Sequence, residues 1–204
     1  MRVIEHEQRT EGWYAARLGV PTASSFSRLI TPTGKRAASA DAYIDELIAE
    51  KLTGEAKFFP TTAAMQHGID MEPRAKEYYE FIYERNIKEI GLCLHDTIEA
   101  GASPDGLIGD DGLIEVKCPQ AHTMVKYWRD YNQKQRMVQE YVPQVQGQLW
   151  ITGRQWCDFL CYHEGIKPLL IRVERNEEYI AELSAIVTKA VETIDQNLKE
   201  LRGK

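Results

Sequence analysis

Gly101-Ala-Ser-Pro-Asp-Gly-Leu-Ile-Gly-Asp-Asp-Gly-Leu-Ile-Glu-Val-Lys-Cys-Pro119 is the stretch that decides how this chain is read. It reads as a strand reaching Asp105, a glycine-rich turn over Gly109 to Gly112, and a second strand from Leu113 to Cys118. Side chains alternate between the two faces of a strand, so Glu115 and Lys117 point the same way while Val116 points into the core. A hairpin over that turn brings Asp105 beside Glu115. Two carboxylates and one ammonium then converge at the end of a small sheet. Hard divalent cations take oxygen ligands, and Mg²⁺ in phosphate chemistry is held by one or two carboxylates plus substrate oxygens. An isolated Glu-x-Lys is more often a solvated hairpin; the full stretch with its aspartate is far more specific.

The surrounding chain has 204 residues, which suits a single domain over 1–204 with a sizeable core. A hydrophobic content of 43% and a charged content of 27% are those of an ordinary soluble globular protein. No apolar run reaches the length of a membrane span, and Met1 to Glu7 does not read as a signal peptide. The expectation is a cytoplasmic protein with no membrane association. Cys93, Cys118, Cys157 and Cys161 form no C-x-x-C pair, which argues against a zinc ribbon or an iron–sulfur cluster and for reduced packing residues. The formal net charge of −6 argues against a protein that coats DNA non-specifically. It leaves room for an enzyme with a local basic channel.

Periodicity supplies the scaffold. Helices are expected over Gln8–Leu18, capped by Thr10, then from Pro21 to Ile30 with Thr22 as cap, and over Ala40–Leu52. Thr31 to Ser39 reads as a loop exposing Lys35 and Arg36, and Phe58-Phe59-Pro60 as an irregular link. A long helix from Thr61 to Tyr83 carries Glu72, with a kink or restart near Met71 because Pro73 lies inside it. Ile87–His95, Thr97–Ala102 and Leu113–Cys118 read as successive strands of an antiparallel meander. Helices follow over Gln120–Asp130 and Gln133–Thr152, the latter bent at Pro143. Strands over Trp156–His163 and Leu169–Val173 precede an amphipathic helix over Glu177–Leu201. The fold class is α/β, a central mixed sheet with helices on both sides.

Phosphodiester hydrolysis needs an activated water, charge neutralisation at the scissile phosphate and stabilisation of the leaving oxygen. Two Mg²⁺ ions roughly 4 Å apart supply all three. Asp105 is placed to bridge two ions and Glu115 to hold one, with the Val116 carbonyl as a further ligand. Lys117 would orient or deprotonate the water, and a cation beside it would lower its pKa as a base requires.

Four segments carry a resemblance: Trp13-Tyr-Ala-Ala-Arg-Leu-Gly-Val-Pro-Thr-Ala-Ser24; Gly68-Ile-Asp-Met-Glu-Pro-Arg-Ala75; Ser103-Pro-Asp-Gly-Leu with Glu115-Val-Lys-Cys-Pro; and Tyr141-Val-Pro-Gln-Val-Gln146. The chain resembles the phage lambda exonuclease family, the YqaJ-type viral recombinase nucleases of the restriction-endonuclease-like PD-(D/E)xK superfamily. The resemblance implies that Asp105 and Glu115 are metal ligands, that Lys117 is the catalytic lysine, and that Glu72 reaches the second ion. It also implies that Gln144 lies at the site with Tyr141 beside it. Arg17, Ser24 and Ser103 match a pocket for the 5′-phosphate, where a guanidinium and hydroxyls suit an anion.

The activity implied is Mg²⁺-dependent 5′-to-3′ degradation of one strand at double-stranded DNA ends, with Mn²⁺ as a substitute ion. The 3′ single strand would pass to a single-strand annealing recombinase, and the enzyme would be a homotrimeric ring of phage or prophage origin in a bacterial host cell. The alternatives are a structure-specific endonuclease on the same scaffold and a catalytically inactive DNA-end-binding clamp. Lys35, Arg36, Lys126, Arg129, Lys134 and Arg136 are weaker candidates for DNA-backbone contacts. His67 and His122 are read as structural, and Trp128, Trp150 and Trp156 as core.

Overall fold

The computed structural model describes residues 1–56 and 61–203, so the expected link at Phe58 to Pro60 lies outside the described residues. Its first half runs β1 (Arg2–Ile4), α1 (Glu11–Arg17), a 3₁₀ helix (Ala23–Arg28), α2 (Ala40–Thr53) and α3 (Ala63–Tyr83). Four strands follow: β2 (Leu92–Leu94), β3 (Gly101–Ala102), β4 (Gly106–Ile108) and β5 (Gly112–Lys117). The chain ends with α4 (Ala121–Lys134), a 3₁₀ turn (Gln139–Tyr141), α5 (Val142–Thr152), β6 (Trp156–His163), β7 (Ile166–Glu174) and α6 (Glu177–Leu201).

The strands form two sheets rather than one continuous meander. β1, β2 and β3 make an antiparallel sheet, and β4 to β7 make a second, mixed one. In the second, β5 lies antiparallel to β4 and parallel to β6, with α4 and α5 forming the crossover. The break falls at Ser103-Pro104-Asp105, where proline has no N–H to give to a ladder. The expected strand over Thr97–Ala102 is cut to Gly101–Ala102, because Asp96 to Glu99 form the bend that joins β2 to β3, and that over Ile87–His95 is cut to Leu92–Leu94. Gly109 turns the β4–β5 hairpin at φ +53°, a left-handed conformation that suits glycine. The short N-terminal strand β1 was not anticipated, because its mostly exposed residues carry little periodic signal.

Each face of β5 meets different helices. Ile114, Val116 and Cys118 pack with Ala75 and Tyr79 of α3 and with Leu160. Leu113 faces the other way, in a core with Val145 and Leu149 of α5, Met124 of α4 and Phe159. A third cluster joins Phe26 and Leu29 to Ile44 and Leu47 of α2 and to Leu183, Val187 and Ile194 of α6. All four cysteines are free and buried; burial pushes Cys93 up to about 11 and Cys118 and Cys161 to about 12, so they serve packing.

Three expected helices change form. α3 runs without a break through Pro73, capped by the Thr62 hydroxyl accepting from the Met65 N–H at 3.2 Å. No restart occurs at Met71, because buried Ala75 and Tyr79 tie the helix to the sheet on the far side of the proline. A buried Asp158 strengthens that attachment: it accepts from the Tyr79 hydroxyl at 2.6 Å and from Arg172 at 2.8 Å through both oxygens. The single helix expected over Gln133–Thr152 is two pieces. α4 ends where Gln135 adopts φ +47°, and α5 starts afresh at Val142. Pro143 stands in the first turn of α5, where its missing N–H costs nothing. The segment after Thr22 is a 3₁₀ helix, and Thr22 makes no capping bond to it.

Gly147 of α5 lies against Phe26, and a Cβ there would sit 2.4 Å from the Phe26 Cδ2 atom. Phe26 is fully buried and has no room to yield. Gly147→Ala should therefore destabilise the protein by about 1–3 kcal/mol through overpacking. Urea unfolding of the variant against the parent protein measures this, and an unchanged midpoint would show that the two elements separate without cost.

Candidate metal and nucleic-acid site

The site is built outward from Glu115. Its side chain is 2% exposed, and its charge is met on all sides. Lys117, two residues along the same face of β5, places Nζ 2.6 Å from Oε1. From α5, Gln144 donates to Oε1 at 2.5 Å and Gln148 to Oε2 at 2.6 Å. Residues four apart share one face of a helix, so α5 reads Glu115 with both amides at once. Tyr141, in the turn before α5, lies with its ring centroid 5.0 Å from Lys117 Nζ and 5.2 Å from Phe159.

Asp105 enters from the other side of the hairpin. It accepts the backbone N–H of Val116 at 2.7 Å, which fixes it beside β5 at the residue between Glu115 and Lys117. Burial, then the like charges of Glu115 and Glu72, push its carboxyl up to about 8. Burial works against the charge on Lys117, yet Glu115 and Asp105 outweigh it and raise the ammonium above its usual pKa. With protein charges alone, the lysine is firmly protonated.

Glu72 reaches the same place from α3 but is already paired. Arg9 bonds to its Oε2, and Lys76, one turn on, lies 3.1 Å from Oε1. Burial opposes ionisation of Glu72, but these two cations dominate and lower its pKa. A cavity of about 520 Å³ is lined by Arg9, Glu72, Lys76 and Asp105. Among the described residues, no three His, Cys, Asp or Glu side chains gather closely enough to hold a metal ion. Asp105 is nevertheless within electrostatic reach of both Glu115 and Glu72, and Glu72 is itself paired with Arg9 and Lys76.

The residues expected to hold an anion form a second cluster. Arg17 Nη2 donates to the hydroxyls of Thr22 at 3.0 Å and Ser24 at 3.1 Å. Its guanidinium lies 4.0 Å over the ring of Trp13, whose Nε1 donates to Ser103 Oγ at 3.0 Å. Burial lowers the pKa of Arg17, and among the described residues no carboxylate pairs with it. Ser103 is two residues before Asp105, so the chain links the two clusters directly. A groove of about 750 Å³ is lined by Trp13, Arg17 and Thr22 and also by Glu72 and Lys117.

Reasoning from sequence missed Thr22, Trp13, Gln148, Arg9 and Lys76. The i, i+4 spacing of Gln144 and Gln148 was the signal available for the second glutamine. The others depend on contacts across the fold. Of the weaker candidates, Arg36 is paired with Asp41 at 2.5 Å, while Lys126, Arg129, Lys134 and Arg136 are exposed on or after α4, away from this groove. His67 Nε2 is buried without a partner among the described residues, with its ring 6.0 Å from that of His163, and His122 is exposed.

A mixed sheet flanked by helices, with an aspartate at the bend before β4 and a Glu-x-Lys on the adjacent β5, defines the restriction-endonuclease-like class of α/β nucleases. The YqaJ-like viral recombinase domain matches residues 12–155, and the chain belongs to that family. Among solved structures, the alkaline exonuclease LHK-Exo from Laribacter hongkongensis is 38% identical with a TM-score of 0.84, over 95% of this chain and 96% of that one. A further structure of LHK-Exo, with the same identity and coverage, is a complex with dAMP. A phage-related exonuclease from Haemophilus somnus 129PT, 18% identical with a TM-score of 0.72 over 89% of this chain and 96% of that one, shares the fold. Comparison with curated proteins gives no match. The chain is thus a nuclease by family. No described helix is long and apolar enough to cross a membrane.

The raised carboxyl of Asp105 has a measurable consequence. A group with a raised pKa in the folded state contributes stability that is full below its ordinary value of 3.8 and is lost as pH rises through about 8. In EDTA, Asp105→Asn should remove that part of the decline, so the variant gains on the parent protein as pH rises across this window. Urea unfolding of both proteins at a series of pH values tests it; parallel curves would contradict the charge crowding at Asp105.

Proposed function

We propose that the protein is a Mg²⁺-dependent 5′-to-3′ exonuclease that degrades one strand of linear double-stranded DNA and leaves a 3′ single strand for recombination by annealing. The observation that carries this reading is the Arg17 cluster. A guanidinium without a carboxylate partner, ringed by hydroxyls, stands in the same groove as Lys117. Such a cluster suits a terminal phosphate, and its distance along the groove from the carboxylates would set where the first cut falls. The dAMP held by LHK-Exo is a deoxynucleoside monophosphate, the kind of product that stepwise removal releases.

The donor set suits hard cations. Asp105, Glu115 and Glu72 offer oxygen alone, and a cation relieves the crowding of like charges that raises Asp105. Asp105, Glu115 and the Val116 carbonyl would hold one Mg²⁺ and Asp105 with Glu72 a second, Mn²⁺ serving in their place. When bound, the ions supply charge neutralisation at the scissile phosphate and an activated water. Gln144 and Gln148 hold Glu115 in one orientation. Lys117 orients the water and takes its proton; it must first release its own, and neutralising Glu115 and Asp105 moves its pKa that way. Arg17, Thr22, Ser24 and Ser103 bind the new 5′-phosphate after each cut, which favours a forward step.

The family resemblance extends the proposal to a homotrimeric ring around the duplex, a single-strand annealing recombinase as partner, and the cytoplasm of a bacterial host with a phage or prophage as source.

Linear duplexes with 5′-phosphate or 5′-hydroxyl ends, and closed circles, test the reading in Mg²⁺. The 5′-phosphorylated strand should be lost fastest and circles should survive; cutting of circles would sink the exonuclease assignment. Lys117→Ala should slow cleavage by about 10²- to 10⁴-fold with DNA binding retained. Arg17→Ala should erase the preference for a 5′-phosphate while sparing single cuts.

A further inference from the structure

We propose that Arg9 stands in for a divalent cation at Glu72, so that an ion taking its place there must displace the guanidinium. This rests on the metal reading of Asp105, Glu115 and Glu72 given above.

The segment before α1 lines the carboxylate cavity, is fastened to the sheet side beside Arg9 and is turned on itself around it. Gln8 donates through Nε2 to the carbonyls of Ile90 and Pro104, each at 2.9 Å, and Pro104 precedes Asp105. On the other side the Thr10 hydroxyl donates to the Glu7 carbonyl at 2.6 Å. Between these anchors Arg9 adopts φ +69°, a left-handed conformation unfavourable for a residue with a Cβ. The side chain reached from that conformation bonds to Glu72, in the cavity that Asp105 also lines. Backbone strain of this kind clusters at active sites and ligand clamps, where it is part of the mechanism.

The two cations on Glu72 are not equivalent. Lys76 lies on the same helix and is also 3.2 Å from Glu89, so it keeps a partner if Glu72 turns away. Among the described residues, the one ion pair of Arg9 is with Glu72. Arg9 lines both the carboxylate cavity and the groove running past Lys117 to Arg17. Once displaced, its guanidinium faces the groove, where a phosphate backbone offers the replacement anion. Loading of the ion and engagement of nucleic acid then favour one another, since each gives Arg9 or Glu72 the partner that the other loses.

Isothermal titration of the full-length protein with Mn²⁺, without DNA, tests this. Arg9→Gln removes the charge while keeping a polar side chain, and Arg9→Gly also relaxes the backbone. Both should bind Mn²⁺ roughly threefold to tenfold more tightly than the parent protein. A merely structural Arg9 would give equal or weaker binding, so tightening is specific to displacement. Equal or weaker affinity in both variants, with binding lost in Asp105→Asn, would overturn the proposal and leave the metal site standing. Absence of Mn²⁺ binding to the parent protein, or undiminished binding by Asp105→Asn, would overturn the metal reading and this proposal together.

Discussion

Burial of the Glu115 carboxylate is the constraint on which the rest of the site depends. Taking a charge out of water costs several kcal/mol unless it is paired and hydrogen-bonded. Lys117 offsets part of that from the same strand, but a strand cannot supply the remaining donors. Gln144 and Gln148 must come from outside, which requires α5 to lie across β5 with one face turned to Glu115. The start of α5 at Val142, with proline in its first turn, follows from that demand. So does the glycine at 147, since a helix held this close meets Phe26 at once. The 3₁₀ helix bearing Phe26 also bears Ser24, and Ser24 touches Arg17. Carboxylate site and anion cluster are thus coupled through one packed helix.

The opposite edge of the site is set by the backbone. Val116 faces the α3 core with its side chain and gives its N–H to Asp105, so the strand that buries hydrophobic surface also orients the aspartate. α3 is fixed in turn by Tyr79 on Asp158, and it brings Glu72 within electrostatic reach of Asp105. The three carboxylates come from three different elements. Their mutual repulsion is tolerated because Lys117, Lys76 and Arg9 are interleaved with them. Such a balance of charge is a poor source of stability.

How much of this was legible in sequence follows from the range of the interactions. The β4–β5 hairpin and the placing of Glu115 and Lys117 on one face need only a period of two and a glycine turn, both local. The cap at Thr10 is local as well, and its hydroxyl sits where the sequence suggests. Thr22 reads equally well as a cap, yet its hydroxyl turns to Arg17, a choice made by tertiary contact. Pro73 and Pro143 look alike as helix breakers. One sits inside a helix held by the sheet, the other in the first turn of a new helix, and only packing distinguishes them. The meander fails at Pro104 because a run of β-forming residues says nothing about which sheet it will join. Arg9 gave no signal at all, since its position depends on a backbone conformation that its residue type disfavours.

The net charge of −6 looks unfavourable for a protein that handles nucleic acid, but the field in the groove is what a strand meets. Around that groove Lys117 is held by Glu115, Lys76 by Glu72 and Glu89, Arg9 by Glu72 and Arg28 by Glu46. Among the described residues, Arg17 alone of these has hydroxyls and an aromatic face for neighbours and no carboxylate. A guanidinium stacked on an aromatic ring keeps its in-plane donors free for an anion. Beside the groove lies the opposite environment, the Asp105 carboxyl raised by burial and by the like charges of Glu115 and Glu72. In the proposed reading, a strand would place its terminal phosphate at Arg17 and an inner one beside the carboxylates. The groove therefore has two electrostatically unlike ends, an asymmetry that the total charge of the chain conceals.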